Sequence, residues 1–225
     1  VKMLSEANSV VVIDHHKTAK ERLGGIRAKN FTFIYDEGKC GAMLTMEYLE
    51  KKEKKIFTEK TKQIVSHVDD YGRQVKQFTD TDVVVAYMYS FDQTIDNWDK
   101  IFNQNMETIV WDGQAILRAK EKEARSLVEN LYELICFTTE SGANFSVPEI
   151  NCNAMYSSLV GNMLLERYKK EYDEYPPFSI TWYQNKREAV YSLRSNEHGI
   201  DVSEIAKEFG GGGHKHAAGF KIPFA

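Results

Sequence analysis

Apolar residues are spread along this chain in three patterns, and each predicts a different kind of element. The first is the unbroken run Val10-Val11-Val12-Ile13, which reads as a buried parallel strand. Phe31-Thr32-Phe33-Ile34-Tyr35 alternates and is rich in β-formers, which predicts a second strand, with a short helical turn over 19–23 between the two. Gly38-Lys39-Cys40-Gly41 opens a helix to about Lys52, with Met43, Leu44, Tyr48 and Leu49 on one stripe. Thr58 with Glu59 reads as a cap for a further helix through Ile64, Val65 and Val68, which ends at Asp69-Asp70. Asp82 to Tyr89 reads as another strand.

The second pattern is helical spacing sustained from Trp98 to about Cys136, through Ile109, Ile116, Leu127, Leu134 and Ile135. It predicts one long amphipathic helix acting as a connector. After Gly142 strand-like runs return. Phe178 to Tyr183 and Glu188 to Arg194, separated by Gln184-Asn185-Lys186-Arg187, predict a hairpin. Met155 to Tyr168 predicts a helix, and Val202 to Phe209 a short one capped by Asp201 or Ser203. Ala217-Ala218-Gly219-Phe220 reads as a buried strand. The expected architecture is α/β: a parallel-sheet domain over 1–104, a connecting helix and linker over 105–143, and a smaller α+β domain over 144–225.

Composition narrows the partners. A chain of 225 residues with 42% hydrophobic and 28% charged residues is an ordinary globular protein. A net charge of −4 argues against coating long duplex nucleic acid, so an anionic ligand must meet a local cluster or a bound cation. Cys40, Cys136 and Cys152 lack metal-ligand spacing and read as reduced thiols in a cytoplasmic setting. No apolar run reaches the ~20 residues of a membrane helix, and no signal peptide is visible. Lys2 to Ser9 reads as the tail of a helix and a loop inside a βαβ unit, so further residues are expected upstream.

Candidate chemistry lies at two places. Asp14-His15-His16 leaves the carboxyl end of the first strand, the edge where ligands bind in open α/β sheets. Imidazole and carboxylate suit manganese, iron, cobalt or zinc, and adjacent residues at a strand end point in different directions. The competing reading is a capped, solvated loop. Asp69-Asp70, before Tyr71-Gly72-Arg73, could add an oxygen ligand, or could be a surface pair at a helix end. The second place is Gly210-Gly211-Gly212-Gly213-His214-Lys215-His216, preceded by Leu193-Arg194-Ser195. Glycine amides can surround an anion and Arg is the bidentate phosphate ligand, although glycine runs are also simply flexible loops.

Together these residues amount to a resemblance. Val10-Val11-Val12-Ile13-Asp14-His15-His16-Lys17-Thr18-Ala19 resembles the signature of the DHH phosphoesterase superfamily. Ser192-Leu193-Arg194-Ser195, Asp201-Val202-Ser203, Ile205-Ala206 and the Gly-Gly-Gly-Gly-His run into Ala217-Ala218-Gly219-Phe220 resemble its DHH-associated C-terminal domain. The resemblance is strongest to the oligoribonuclease-like and nucleotide phosphodiesterase branch. It implies a two-domain hydrolase with a two-ion centre, usually Mn²⁺. His15 matches a metal-ligating histidine, Asp14 its supporting carboxylate and His16 the histidine facing the phosphoryl group. Asp70 matches a later metal ligand, with Asp69 as the competing choice. Arg194, Ser195, Gly211, Gly212, Gly213 and His214 match the substrate-holding loop. The family's Asp-x-Asp motif and a further strand aspartate precede this stretch and are not in the sequence. That favours a fragment of a longer protein over a degenerate member.

The function this implies is hydrolysis of phosphodiester bonds in short oligonucleotides or small nucleotides. Exopolyphosphate or pyrophosphate hydrolysis is a variant, and a catalytically incomplete phospho-ligand binding module is the alternative. No membrane partner is expected, and a homodimer is left open.

Overall fold

The computed structural model describes residues 2–73 and 75–224. The chain divides into two compact units, one up to Ala119 and one from Lys120 onward. In the first, α1 (Lys2–Glu6) precedes β1 (Val10–Asp14), α2 (Lys17–Leu23) and β2 (Phe31–Tyr35). The two strands pair in parallel, Val10 with Phe31 through Asp14 with Tyr35. The predicted parallel pair is therefore present, but β1 is not a buried strand: Val11 is 37% exposed and its other residues are half-buried. Then come α3 (Gly41–Lys52), α4 (Glu59–Arg73), α5 (Thr81–Met88) and α6 (Ile95–Asn103). Thr58 Oγ1 accepts from the Thr61 N–H at 3.1 Å, the expected cap.

The run read as a strand over 82–89 is the helix α5. Its Thr81, Val84, Val85, Ala86, Tyr87 and Met88 are all buried. A short continuous apolar run does not distinguish a buried strand from a buried helix. Here Val84, Tyr87 and Met88 close a core with Ile64 of α4, Ile101 of α6 and Ile109, so helix packing on several sides decides.

The predicted long helix is two helices and a strand. Gln104 takes an extended conformation (ψ 153°) that ends α6, and Asn105 Oδ1 accepts from the Thr108 N–H at 2.9 Å to start the next helix. That helix, α7 (Met106–Leu131), carries the boundary between the units. Leu134 and Ile135, read as helical, lie in β3 (Glu133–Thr138), which pairs antiparallel with β4 (Asn144–Asn151). Residues 133–138 are thus part of the second unit's sheet rather than of a linker, and that unit is larger than the segment 144–225.

The second unit continues with a 3-10 turn (Ala154–Tyr156), α8 (Ser157–Tyr172), β5 (Ser179–Gln184), β6 (Glu188–Arg194), α9 (Val202–Glu208), β7 (Gly212–His214) and β8 (Ala217–Pro223). Its sheet has the order β3-β4-β5-β6-β8-β7. The β5–β6 hairpin forms as expected, Ser179 opposite Arg194. Asp201 caps α9 by accepting from the Ser203 N–H at 3.0 Å. One sheet face packs Val147, Phe178, Ile180, Leu193 and Phe220 against Val202, Ile205 and Ala206 of α9. The other packs Ile150 and Cys152 against Val160 and Leu164 of α8, and against Ala124 and Val128 of α7. Alternation along each strand produces both faces. No helix among the described residues is long and apolar enough to cross a membrane.

Candidate functional site

β1 ends at Asp14, where the chain turns into α2. The carboxylate gathers the turn. Its Oδ1 accepts from the backbone N–H of His15 at 2.7 Å and of His16 at 2.9 Å, and lies 2.8 Å from His16 Nδ1. Burial works against the Asp14 charge, but the His16 backbone and ring and the His15 backbone outweigh it and hold the carboxyl below its ordinary range. An ionised Asp14 can only accept, so His16 donates from Nδ1 in this contact. The resemblance implies that Asp14 supports His15; the ring that it orients here is that of His16. The His15 and His16 rings lie 4.3 Å apart, tilted by 56°.

Asp70 is held by three protein donors. It is 2% exposed. Its oxygens accept from the Gln77 N–H at 2.7 Å, the Phe78 N–H at 3.2 Å and the Thr81 hydroxyl at 2.5 Å. These donors tie the connection into α5 back onto α4. Asp69, the competing choice, accepts from the Cys40 N–H at 2.5 Å and from Arg73 Nε and Nη2 at 3.0 and 2.7 Å. It thereby closes the start of α3. Two ions at van der Waals range need bridging carboxylates. The imidazoles at Asp14-His15-His16 suit a divalent transition metal, while the contacts described for Asp69 and Asp70 are with protein donors.

In the second unit strand register assembles the predicted residues. β8 lies between β6 and β7, and Ala217 is opposite Arg194 on one side and His214 on the other. Paired residues share a face, so Arg194 and His214 stand on one row with only the Ala217 methyl between. The stem of Arg194 lies over Gly161 of α8, where a Cβ would come within 2.8 Å of its Cγ. The guanidinium donates Nη1 to the Leu193 carbonyl at 2.8 Å.

Two of the expected substrate ligands have other work. Ser195 is buried, and its hydroxyl lies 2.8 Å from the Ile200 carbonyl and 3.0 Å from His216 Nδ1. Its single proton goes to the carbonyl, so it accepts from His216 and fixes that ring's tautomer. Ser195 thus positions the His216 ring. Gly211 gives its N–H to the Ala206 carbonyl at 2.8 Å, closing α9, and so does not offer it to an anion. Gly212 and Gly213 are strand residues opposite Gly219 and Ala218. The glycine run is a close-packed hairpin edge rather than an open loop. His216 was not singled out from sequence; only the register that sets residue 195 beside residue 216 reveals it.

Residues 157–224 match the DHHA1 domain family. An uncharacterised protein of Acanthamoeba polyphaga mimivirus is 27% identical over 97% of this chain, which spans about half (49%) of that relative's length. Among solved structures, a pGpG-specific phosphodiesterase from Vibrio cholerae matches with a TM-score of 0.41 at 11% identity, over 93% of this chain and 83% of that one. An exopolyphosphatase-related protein from Bacteroides fragilis matches with a TM-score of 0.39 at 11% identity, over 98% and 68% of the two chains.

Proposed function

Because residues 157–224 match the DHHA1 domain family, which supports the DHH-superfamily resemblance, we propose that the full-length protein hydrolyses phosphodiester bonds of short oligonucleotides or small nucleotides. The observation that carries the reading is the row of Arg194 and His214 flanking Ala217. An arginine and an imidazole on one row of the sheet suit a terminal phosphate. His15 is the proposed metal-holding histidine and His16 the group that meets the phosphoryl oxygens. A bound divalent ion, Mn²⁺ by the resemblance, supplies Lewis-acid charge and hydroxide at neutral pH. The protein's own part is placement: Asp14 fixes the His16 ring, Ser195 fixes the His216 ring, and Gly161 leaves space for the Arg194 stem.

Arg194→Ala is the test. KM for a dinucleotide should rise by more than kcat falls, with a loss of about 1.5–3 kcal/mol, the range for a hydrogen bond to a charged group. p-Nitrophenyl phosphate, which has no distal phosphate, should lose much less. Equal loss on both would place Arg194 at the reacting phosphate. No loss on either would remove the row from the site. A second reading, phosphate-ligand binding without turnover, is favoured by one observation: the Asp69 and Asp70 carboxylates are both committed to protein donors.

A further inference from the structure

β2 shows on one face Phe31, Phe33 and Tyr35, every second residue of the strand. The Phe31 and Phe33 rings are 6.5 Å apart and within 11° of parallel, and Phe33 and Tyr35 are 5.9 Å apart. All three are only partly buried. Lys20 lies over the Tyr35 ring, 4.9 Å from its centre. A groove of about 620 Å³ opens beside Phe31 and Phe33, lined also by Leu23, Ile26, Arg27 and Lys29; Tyr35 lies beyond its lining. That is room enough for a small organic ligand. The groove's own rim is basic, with Arg27 and Lys29 in its lining and Lys20 and Arg22 on α2, while Asp36 and Glu37 follow Tyr35 directly and the Tyr35 hydroxyl donates to Glu37 at 3.1 Å, so the positive charge lies at the Phe31–Phe33 end. Arg27 Nη1 donates to the Gly24 and Ile26 carbonyls at 2.8 and 3.1 Å, which stiffens the groove's rim.

We infer that this aromatic row and its basic rim form a stacking platform for single-stranded nucleic acid, where bases lie on the rings and Lys20, Arg27 and Lys29 meet the backbone. Flat side chains in succession within a positive groove are what sequence-tolerant single-strand binding requires. Charge selects this occupant over an apolar peptide. The inference rests on the proposed function and deepens it: the substrate would be an oligonucleotide longer than two residues, gripped away from the bond that is cut.

The experiment is fluorescence anisotropy with a fluorescein-labelled five-nucleotide RNA in EDTA, beside Mn²⁺-dependent hydrolysis of an unlabelled dinucleotide. Phe33→Ala should weaken binding of the pentamer about 10-fold or more and leave dinucleotide turnover unchanged. Phe33→Leu keeps apolar packing but removes the flat ring, and should weaken it similarly, which separates stacking from folding. Lys29→Ala should make the salt dependence of binding shallower by somewhat under one unit of log–log slope. Pentamer affinity unchanged in Phe33→Leu and Lys29→Ala would overturn the platform even if the dinucleotide is hydrolysed. Ring-dependent pentamer binding without dinucleotide hydrolysis would instead overturn the proposed function and leave the platform standing.

Discussion

Asp70→Ala should cost the first unit about 4 kcal/mol, because three donors in its interior lose their acceptor and each unpaired buried group costs ~1–3 kcal/mol. The Gln77 and Phe78 amides and the Thr81 hydroxyl all end on this carboxylate, and His67 Nδ1 sits 3.1 Å from the same hydroxyl. Since Thr81 gives its proton to Asp70, it accepts from His67, and the chain of bonds runs from α4 to α5 without a break. With a urea m-value of about 2 kcal/mol/M, the midpoint should fall by about 2 M. The effect has a pH signature. Burial tends to raise the Asp70 carboxyl, but the Thr81, Gln77 and Phe78 bonds outweigh it and hold it below the ordinary range. A carboxyl lowered by folding contributes stability above its unfolded value, and loses it as pH falls through the folded one. The gap between wild type and Asp70→Ala should therefore be full at neutral pH and shrink below about pH 4. Were Asp70 a metal ligand instead, the metal-free variant would unfold as wild type does, and only the stabilisation by added Mn²⁺ would vanish.

Gly213→Ala should cost the second unit about 3 kcal/mol, combining backbone strain with overpacking. Gly213 has φ +150°, and a Cβ there would stand 2.5 Å from the Ala217 carbonyl oxygen and 2.6 Å from the Ala218 Cα. Both contacts are backbone, so relief requires β7 to leave β8. Amide exchange over 188–223 should quicken in the variant. Gly41→Ala is the control, because nothing lies within 4 Å of its Cβ position, and stability should hold or rise slightly. If Gly213→Ala kept full stability and lost only affinity for phosphate, the glycine run would be an anion cradle after all.

The sequence displayed the elements whose pattern is local. Alternation in Phe31–Tyr35 and the spaced runs at 178–194 predicted strands that exist, and Thr58 and Asp201 announced helix starts. What it did not display depends on partners distant along the chain. Whether 82–89 is strand or helix turns on what surrounds it, and the apolar residues of β3 fit a helical count as well as a strand's. The site divides in the same way. Asp14-His15-His16 and Arg194 could be picked out by residue type and order. The commitments of Asp70 to Thr81, of Ser195 to His216 and of Gly211 to Ala206 follow from packing and register, which one sequence does not display. Glycines that look suited to an anion and glycines that let two strands approach are identical in composition.

The most direct measurement is hydrolysis by the purified full-length protein as Mn²⁺ is titrated, with a dinucleotide, a five-nucleotide RNA and polyphosphate as substrates and His15→Ala alongside. The expected result is Mn²⁺-dependent cleavage of the two nucleic-acid substrates over polyphosphate, lowered about 100-fold in His15→Ala. Binding of the nucleotides without turnover at any Mn²⁺ concentration, or turnover that His15→Ala leaves unchanged, would contradict it.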